Sequence, residues 1–371
     1  MRDALAERLL AQVMGWAAED VARERPDLQA LATYKYDEYQ QFSPGMRFVE
    51  SLAIWLSQFH SMKERRIAYE FVKSKLIFCS SAEMSHLVSI AYPDHIRPLL
   101  LKKAAQDDGL DEYFVSKIAG STAFKLRQRQ CLFLGLSDGA RIDLFRRSNS
   151  SELSHEQMLQ TYEVSNERVG ELLKKLSDDL RGLMGREVPE DMRKFRTLVL
   201  LDDFSGSGKG YIRQSESGEF EGKIGNFHRS LTDSKNAASR LIDAKRTEIL
   251  VVLYMATEQA RSYLETLSKE LWRPLGIEYS IMVVYPLNST ICIRPKDGSA
   301  ICKLIDAYYD PEIEDQHTKI GGTEVKYGFA ACGLPLVLSH NTPNNSLCLL
   351  WGESEKMRAL FPRVSRHRKE A

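Results

Sequence analysis

The chain has 371 residues, and 51 lysines and arginines balance 51 aspartates and glutamates to a formal net charge of +0. The length suits one large or two modest domains, and the even charge argues against a bulk polyanion binder, whose phosphate contacts usually need a cationic excess. With 43% hydrophobic and 27% charged residues the chain is globular, not disordered. No apolar run nears the roughly 20 residues that cross a bilayer, so no membrane partner is expected.

The N-terminal stretch MRDALAERLLAQVMGWAAEDVARERPD is charged throughout, with no apolar core ahead of a small-residue cleavage site. It does not read as a signal peptide, and a cytoplasmic location is expected. Residues 1–125 read as an all-α module. In Arg47–Phe59 the apolar positions Phe48, Leu52, Ile54, Trp55 and Phe59 recur at helical spacing. Glu64 to Phe78 is a second amphipathic segment, and Ser80 with Glu83 three positions on signals the start of the next helix. Pro93 separates that helix from Ile96–Ala105.

The pattern changes near Cys131, and residues 126–371 read as an α/β domain. Cys131–Leu136 is a buried strand entering the turn Ser137-Asp138-Gly139. Two helices are predicted next, one opening at Ser154 with Gln157 as its capping partner and one over Ser165–Leu183. Pro189 breaks the chain, and Leu198–Leu201 is a second buried strand ending at Asp202. Ser205–Gly225, rich in Gly, Ser and Glu, reads as a mobile loop. Strand Glu248–Tyr254, helix Glu258–Leu271, strand Glu278–Tyr285 and helix Gly298–Tyr308 follow, then strand Gly333–Ser339 and a basic tail, Arg363–Arg368. Apolar strands alternating with amphipathic helices imply a mostly parallel sheet flanked by helices. The six cysteines (Cys79, Cys131, Cys292, Cys302, Cys332, Cys348) form no C-x-x-C pair, so reduced, mostly buried thiols are expected.

Leu198–Gly210 reads LVLLDDFSGSGKG. The strand delivers Asp202 and Asp203 to its carboxyl end, where open α/β sheets bind ligands. Ser205, Gly206, Ser207, Gly208, Lys209 and Gly210 make a loop with little side-chain bulk, whose amides suit a phosphate-sized anion. Adjacent carboxylates facing solvent suit vicinal ribose hydroxyls or a hard cation such as Mg²⁺. A Walker A loop is excluded, because Asp203 stands where its first glycine belongs and Gly210 follows Lys209.

This segment resembles the signature by which type I phosphoribosyltransferases bind 5-phosphoribosyl 1-pyrophosphate (PRPP). The resemblance implies that Asp202 and Asp203 hold the ribose hydroxyls and a Mg²⁺, while Ser205–Gly210 wraps the 5-phosphate. Gly206 and Gly210 stand where the family usually has Thr, which keeps the backbone cradle but removes hydroxyl donors. Ser137, Asp138, Gly139 and Arg141 are similar to the family's pyrophosphate loop; a plain turn with Arg141 in a surface ion pair is the other reading. Near the C-terminus, His340-Asn341-Thr342-Pro343-Asn344-Asn345 closes a strand. His340, Asn341, Asn344 and Asn345 suit the polar edge of a base, though Asn and Pro are also ordinary turn residues.

Taken with the helical block around Glu64-Arg65-Arg66, these segments resemble the phosphoribosyltransferase-like family of prokaryotic conflict systems (PRTase-CE), sometimes encoded beside retron reverse transcriptases. That resemblance implies a type I phosphoribosyltransferase-like fold and a part in antiphage defence. Two readings stay open. One is a pentosyl-transfer enzyme with Asp202, Asp203 and Arg141 as catalytic groups; the other is an inactive PRPP or nucleotide sensor whose N-terminal helices dock another defence protein. Direct nucleic-acid binding would rest on the basic tail alone.

Overall fold

The computed structural model describes residues 3–161 and 163–364. The chain divides into two compact units, residues 1–83 with 288–371 and residues 84–287. The sequence boundary at 125/126 falls inside the second of these.

In unit 84–287, five strands form one sheet: β1 (Cys131–Gly135), β2 (Met158–Leu159), β3 (Thr197–Ser205), β4 (Glu248–Thr257) and β5 (Glu278–Leu287), in the order β2-β1-β3-β4-β5. Every neighbouring pair is parallel. The predicted mostly parallel α/β sheet flanked by helices is therefore present. Alternation of side chains across the pleat explains its two covered faces. Leu132, Leu134, Leu198, Leu200, Ile249 and Val251 join one core with helices Asn166–Met184, Gly222–Thr232 and Glu258–Trp272. On the opposite face the Phe133 ring meets Tyr92 and Phe145, at 6.2 and 5.1 Å between centroids. Burial on both sides is what makes these strands continuous apolar runs, each buried Leu or Val contributing about 1.5–3 kcal/mol.

Sequence signals set several ends. The Ser165 side chain accepts from the Arg168 amide at 3.2 Å and starts helix Asn166–Met184. Ser80 and Glu83 exchange the expected reciprocal bonds, 2.8 and 3.1 Å. Other expectations are corrected. The capping pair Ser154–Gln157 closes a single 3₁₀ turn, His155–Gln157, and no longer helix. Pro93 sits inside a π-helical turn, Ala91–Ile96, that leads into helix Arg97–Asp108. The expected loop Ser205–Gly225 contains the end of β3, a small hairpin (Arg213–Gln214 with Phe220–Glu221) and the start of helix Gly222–Thr232.

The other unit holds the N-terminal helices Asp3–Met14, Ala18–Tyr34, Phe48–Ser57 and Met62–Ser74. The predicted segment Glu64–Phe78 breaks at Ser74, and Ile77–Cys79 becomes a strand paired in parallel with Leu336–Leu338. Both pieces thus belong here and not to the five-stranded sheet. Trp55 donates to the Leu349 carbonyl at 2.8 Å and Ser51 to that of Leu360 at 2.6 Å, satisfying polar groups inside this core. Five cysteines are buried and Cys292 is half-buried, all as free thiols. Arg363 lies over the Trp351 ring; residues 365–368 of the basic tail lie outside the described residues. No helix among the described residues is long and apolar enough to cross a membrane.

Candidate functional site

In the order β2-β1-β3-β4-β5 the chain leaves β1 toward one side of the sheet and β3 toward the other. The crevice outside the carboxyl ends of β1 and β3 is therefore the switch point at which such sheets bind ligands. Both segments singled out in the sequence lie there.

Strand β3 does not stop at Asp202. Its register with β4 carries on to Ser205 opposite Ala256, so Asp202 and Asp203 are consecutive strand residues on opposite faces. Asp202 is 0% exposed. Its Oδ1 accepts from Ser137 Oγ at 2.5 Å and from the Asp203 amide at 3.1 Å, and its Oδ2 receives Lys223 Nζ in a short ion pair. This corrects the expectation that both acids face solvent. Burial pushes the Asp202 carboxyl up and Lys223 opposes the shift. Asp203 is half-buried and accepts from the Phe204 amide at 2.8 Å. Gly139 backs directly onto it, where a Cβ would stand 2.5 Å from the Asp203 carboxyl carbon.

The turn after β1 is built for this approach. Ser137 Oγ also accepts from the Gly139 amide at 3.2 Å, while Asp138 is exposed. Tyr254, wholly buried on β4, donates to the Ala140 carbonyl at 2.6 Å. Burial raises the Tyr254 phenol, Asp202 and Asp203 add to the shift, and Arg141 opposes it. Arg141 has φ 48°, a left-handed conformation costing a non-glycine residue about 1 kcal/mol or more, at the mouth of helix Ile142–Ser148. Its Nη1 lies 3.5 Å from Ser85 Oγ. Arg146 and Arg147 pair instead with Asp143.

The loop after β3 braces itself. Ser205, Gly206, Ser207 and Gly208 are buried, Lys209 is half-buried and Gly210 is exposed. Ser205 Oγ accepts from the Gly208 amide at 3.2 Å and Ser207 Oγ from the Lys209 amide at 3.4 Å, so both hydroxyl oxygens brace the loop's own turns. Thr257, which caps helix Glu258–Trp272, donates to the Gly206 carbonyl at 2.6 Å. Gly208 has φ 79° and passes so close to the helix that a Cβ would meet Tyr263 at 2.7 Å. Glycine is required there and not at 210, where a Cβ meets nothing within 4 Å.

Lys223 was not singled out in the sequence. Its only local signal is its place in the first turn of an amphipathic helix, marked by Ile224, Phe227 and Leu231; the pairing with Asp202 is long-range. That pairing decides how the acids fit a divalent metal. The Asp202 oxygens are taken by an ammonium, a hydroxyl and an amide, and the two carboxylates face opposite sides of β3. The pair does not fit a common Mg²⁺ ion, which needs accessible carboxylate lone pairs on one octahedron. Among the described residues no group of three or more His, Cys, Asp or Glu could hold a metal.

The C-terminal constellation lies in the other unit, engaged in its own turn. Asn345 Nδ2 donates to the Phe329 carbonyl at 3.2 Å, and Asn341 exchanges two 3.2 Å bonds with Val364. The backbone carbonyls of His340 and Asn344 accept from Gln41 and Phe329. Turn chemistry accounts for the side chains of Asn341 and Asn345. A cavity of about 720 Å³ sits at the amino ends of β1, β3, β4 and β5, opposite the crevice. Its charges are largely matched, Arg127 with Asp107 and Arg246 with Asp191.

A family model, PRTase-CE, matches residues 52–363. No curated protein and no solved structure matches the chain.

Proposed function

The chain belongs to the PRTase-CE family, and on that premise we propose that this phosphoribosyltransferase-like protein binds a ribose 5-phosphate ligand, PRPP or a nucleotide, in the crevice between the carboxyl ends of β1 and β3. One observation carries the reading: the turn 137–141 and the segment 202–210, far apart in sequence, meet at the sheet's switch point, with Ser137 on Asp202 and Gly139 against Asp203. In this arrangement Asp203 accepts from ribose hydroxyls, the 205–210 loop and Lys209 hold the phosphate, and Arg141 balances a pyrophosphate at the neighbouring turn.

Binding is favoured over pentosyl transfer. A transferase needs both acids poised on the sugar, and Asp202 is spent on Lys223 and Ser137. The family's link to conflict systems supports a place in antiphage defence, with the N-terminal helices docking a partner protein. Calorimetry with PRPP, followed by phosphorus NMR of the same mixture with Mg²⁺ and purine and pyrimidine bases added as acceptors, tests the reading. Saturable heat with unchanged phosphorus signals is expected. Release of pyrophosphate would establish the transferase instead, and absence of binding to either PRPP or nucleotides would overturn the site.

A further inference from the structure

The fit between Asp202 and Lys223 bears on what charge the site supplies. We propose that Lys223 is the resident cation of this crevice, so that the chain takes its sugar phosphate without a divalent metal bridging Asp202 and the ligand. The proposal rests on the crevice being the ribose-phosphate site.

Three independent features of the chain fix the lysine there. Its ammonium sits on a carboxylate with no exposed surface, whose other oxygen already accepts two hydrogen bonds. With Oδ1 already accepting two hydrogen bonds, a metal at Asp202 would have to displace the ammonium from Oδ2. Next, the Lys223 amide donates to the Gly210 carbonyl at 3.4 Å, which ties the residue to the phosphate loop. The adjacent Ile224 amide donates to the Tyr211 carbonyl at 2.8 Å, and Gly222, at φ 91°, passes so close that a Cβ would stand 2.7 Å from that same oxygen. Finally, the ammonium lies 4.7 Å from the centroid of the Tyr211 ring, whose hydroxyl is anchored on the Phe204 carbonyl at 3.0 Å. The lysine, the loop and the end of β3 therefore form one braced unit.

An ammonium carries three donors, and Asp202 takes one of them. The Lys223 side chain remains 27% exposed, so the pair is not sealed from an arriving anion. Asp202 acts as a positioning residue, which holds the cation and neutralises it until a phosphate shares it. The two replaced Thr hydroxyls of the general motif, at Gly206 and Gly210, are compensated by this charge-assisted donor.

The test titrates ribose 5-phosphate, which lacks the metal-chelating pyrophosphate of PRPP, into the whole chain with excess EDTA and again with Mg²⁺. PRPP is titrated in parallel. Equal ribose 5-phosphate affinity in both buffers is expected. Lys223→Gln should weaken it at least about tenfold, the loss of one charge-assisted hydrogen bond, and Lys223→Arg should restore most of it. Removing Lys223 leaves a buried carboxylate uncompensated, so Lys223→Gln with Asp202→Asn is made as well; this double variant, folded by its melting curve, should bind as weakly as the single one. Binding that appears only with Mg²⁺, or that survives loss of the lysine in the double variant, overturns the proposal and leaves the ribose-phosphate reading intact. No binding of either ligand, nor of a nucleoside 5′-monophosphate titrated beside them, in either buffer overturns that reading and this one with it.

Discussion

Gly139 and Gly210 look alike in the sequence, each a small residue in a loop at a strand end, but the structure gives them opposite meanings. At Gly139 a methyl group would collide with the whole Asp203 carboxylate; at Gly210 it would enter open space. Neither has a positive φ, so alanine strains neither backbone. Gly139→Ala should therefore push the Asp203 side chain aside, lowering sugar-phosphate affinity about tenfold or more while shifting the melting temperature by only about a few degrees. Gly210→Ala should change neither quantity. Calorimetry and thermal melts of the two variants decide the matter, and equal binding by both would remove Asp203 from the site. The twin acids were legible as residues, but their burial was not. Acids end the apolar run that marks a strand locally, whereas the ten-residue β4 alongside carries the ladder three residues further.

Elements whose ends depend on local chemistry were the legible ones. Ser165 and the Ser80–Glu83 pair form the predicted caps because a hydroxyl three residues from a free amide needs no distant partner. Ile77–Cys79 was missed for the converse reason: its partner, Leu336–Leu338, lies near the far end of the chain. The Ser154 turn illustrates how a cap signal without a following helix still contributes energy. Glu156 pairs with Lys175 at 2.8 Å and accepts from Ser154 Oγ at 2.6 Å, and these contacts, Lys175 foremost, lower its carboxyl from an ordinary 4.5 to about 2. A depressed carboxylate pKa stabilises the fold above the unfolded value, and that contribution is lost as pH falls from about 4.5 toward 2. With screening at this partly exposed position, about 1 kcal/mol is expected. In urea unfolding, Glu156→Gln should thus be less stable than the parent at pH 7, and the gap should narrow below pH 4.5 and close only as the pH nears 2. A gap that does not change with pH would assign the effect to packing.

At the scale of the molecule, the site's covalent continuity matters most. Every residue assigned to the crevice, from Ser137 to Lys223, lies in the unit of residues 84–287, which is uninterrupted in sequence. It has its own core, running from Leu132 to Ile277 and including Trp272, and all five strands of the main sheet. The other unit is assembled from two chain segments, which share a core through Trp55, Phe48, Leu349 and Phe361. The βαβ alternation made the sheet legible, but not this division, because helices before residue 125 carry no local mark of which core they join. A chain of residues 84–287 buries its own apolar faces, and domains of this size fold alone. Expressed by itself, it should melt cooperatively and bind ribose 5-phosphate within about threefold of the full chain, a difference under about 1 kcal/mol. The same measurement weighs the C-terminal turn: His340, Asn341, Asn344 and Asn345 are absent from that fragment. A folded fragment with affinity more than tenfold weaker would return these four residues to the ligand, whereas retained binding leaves them as the braces of their own turn.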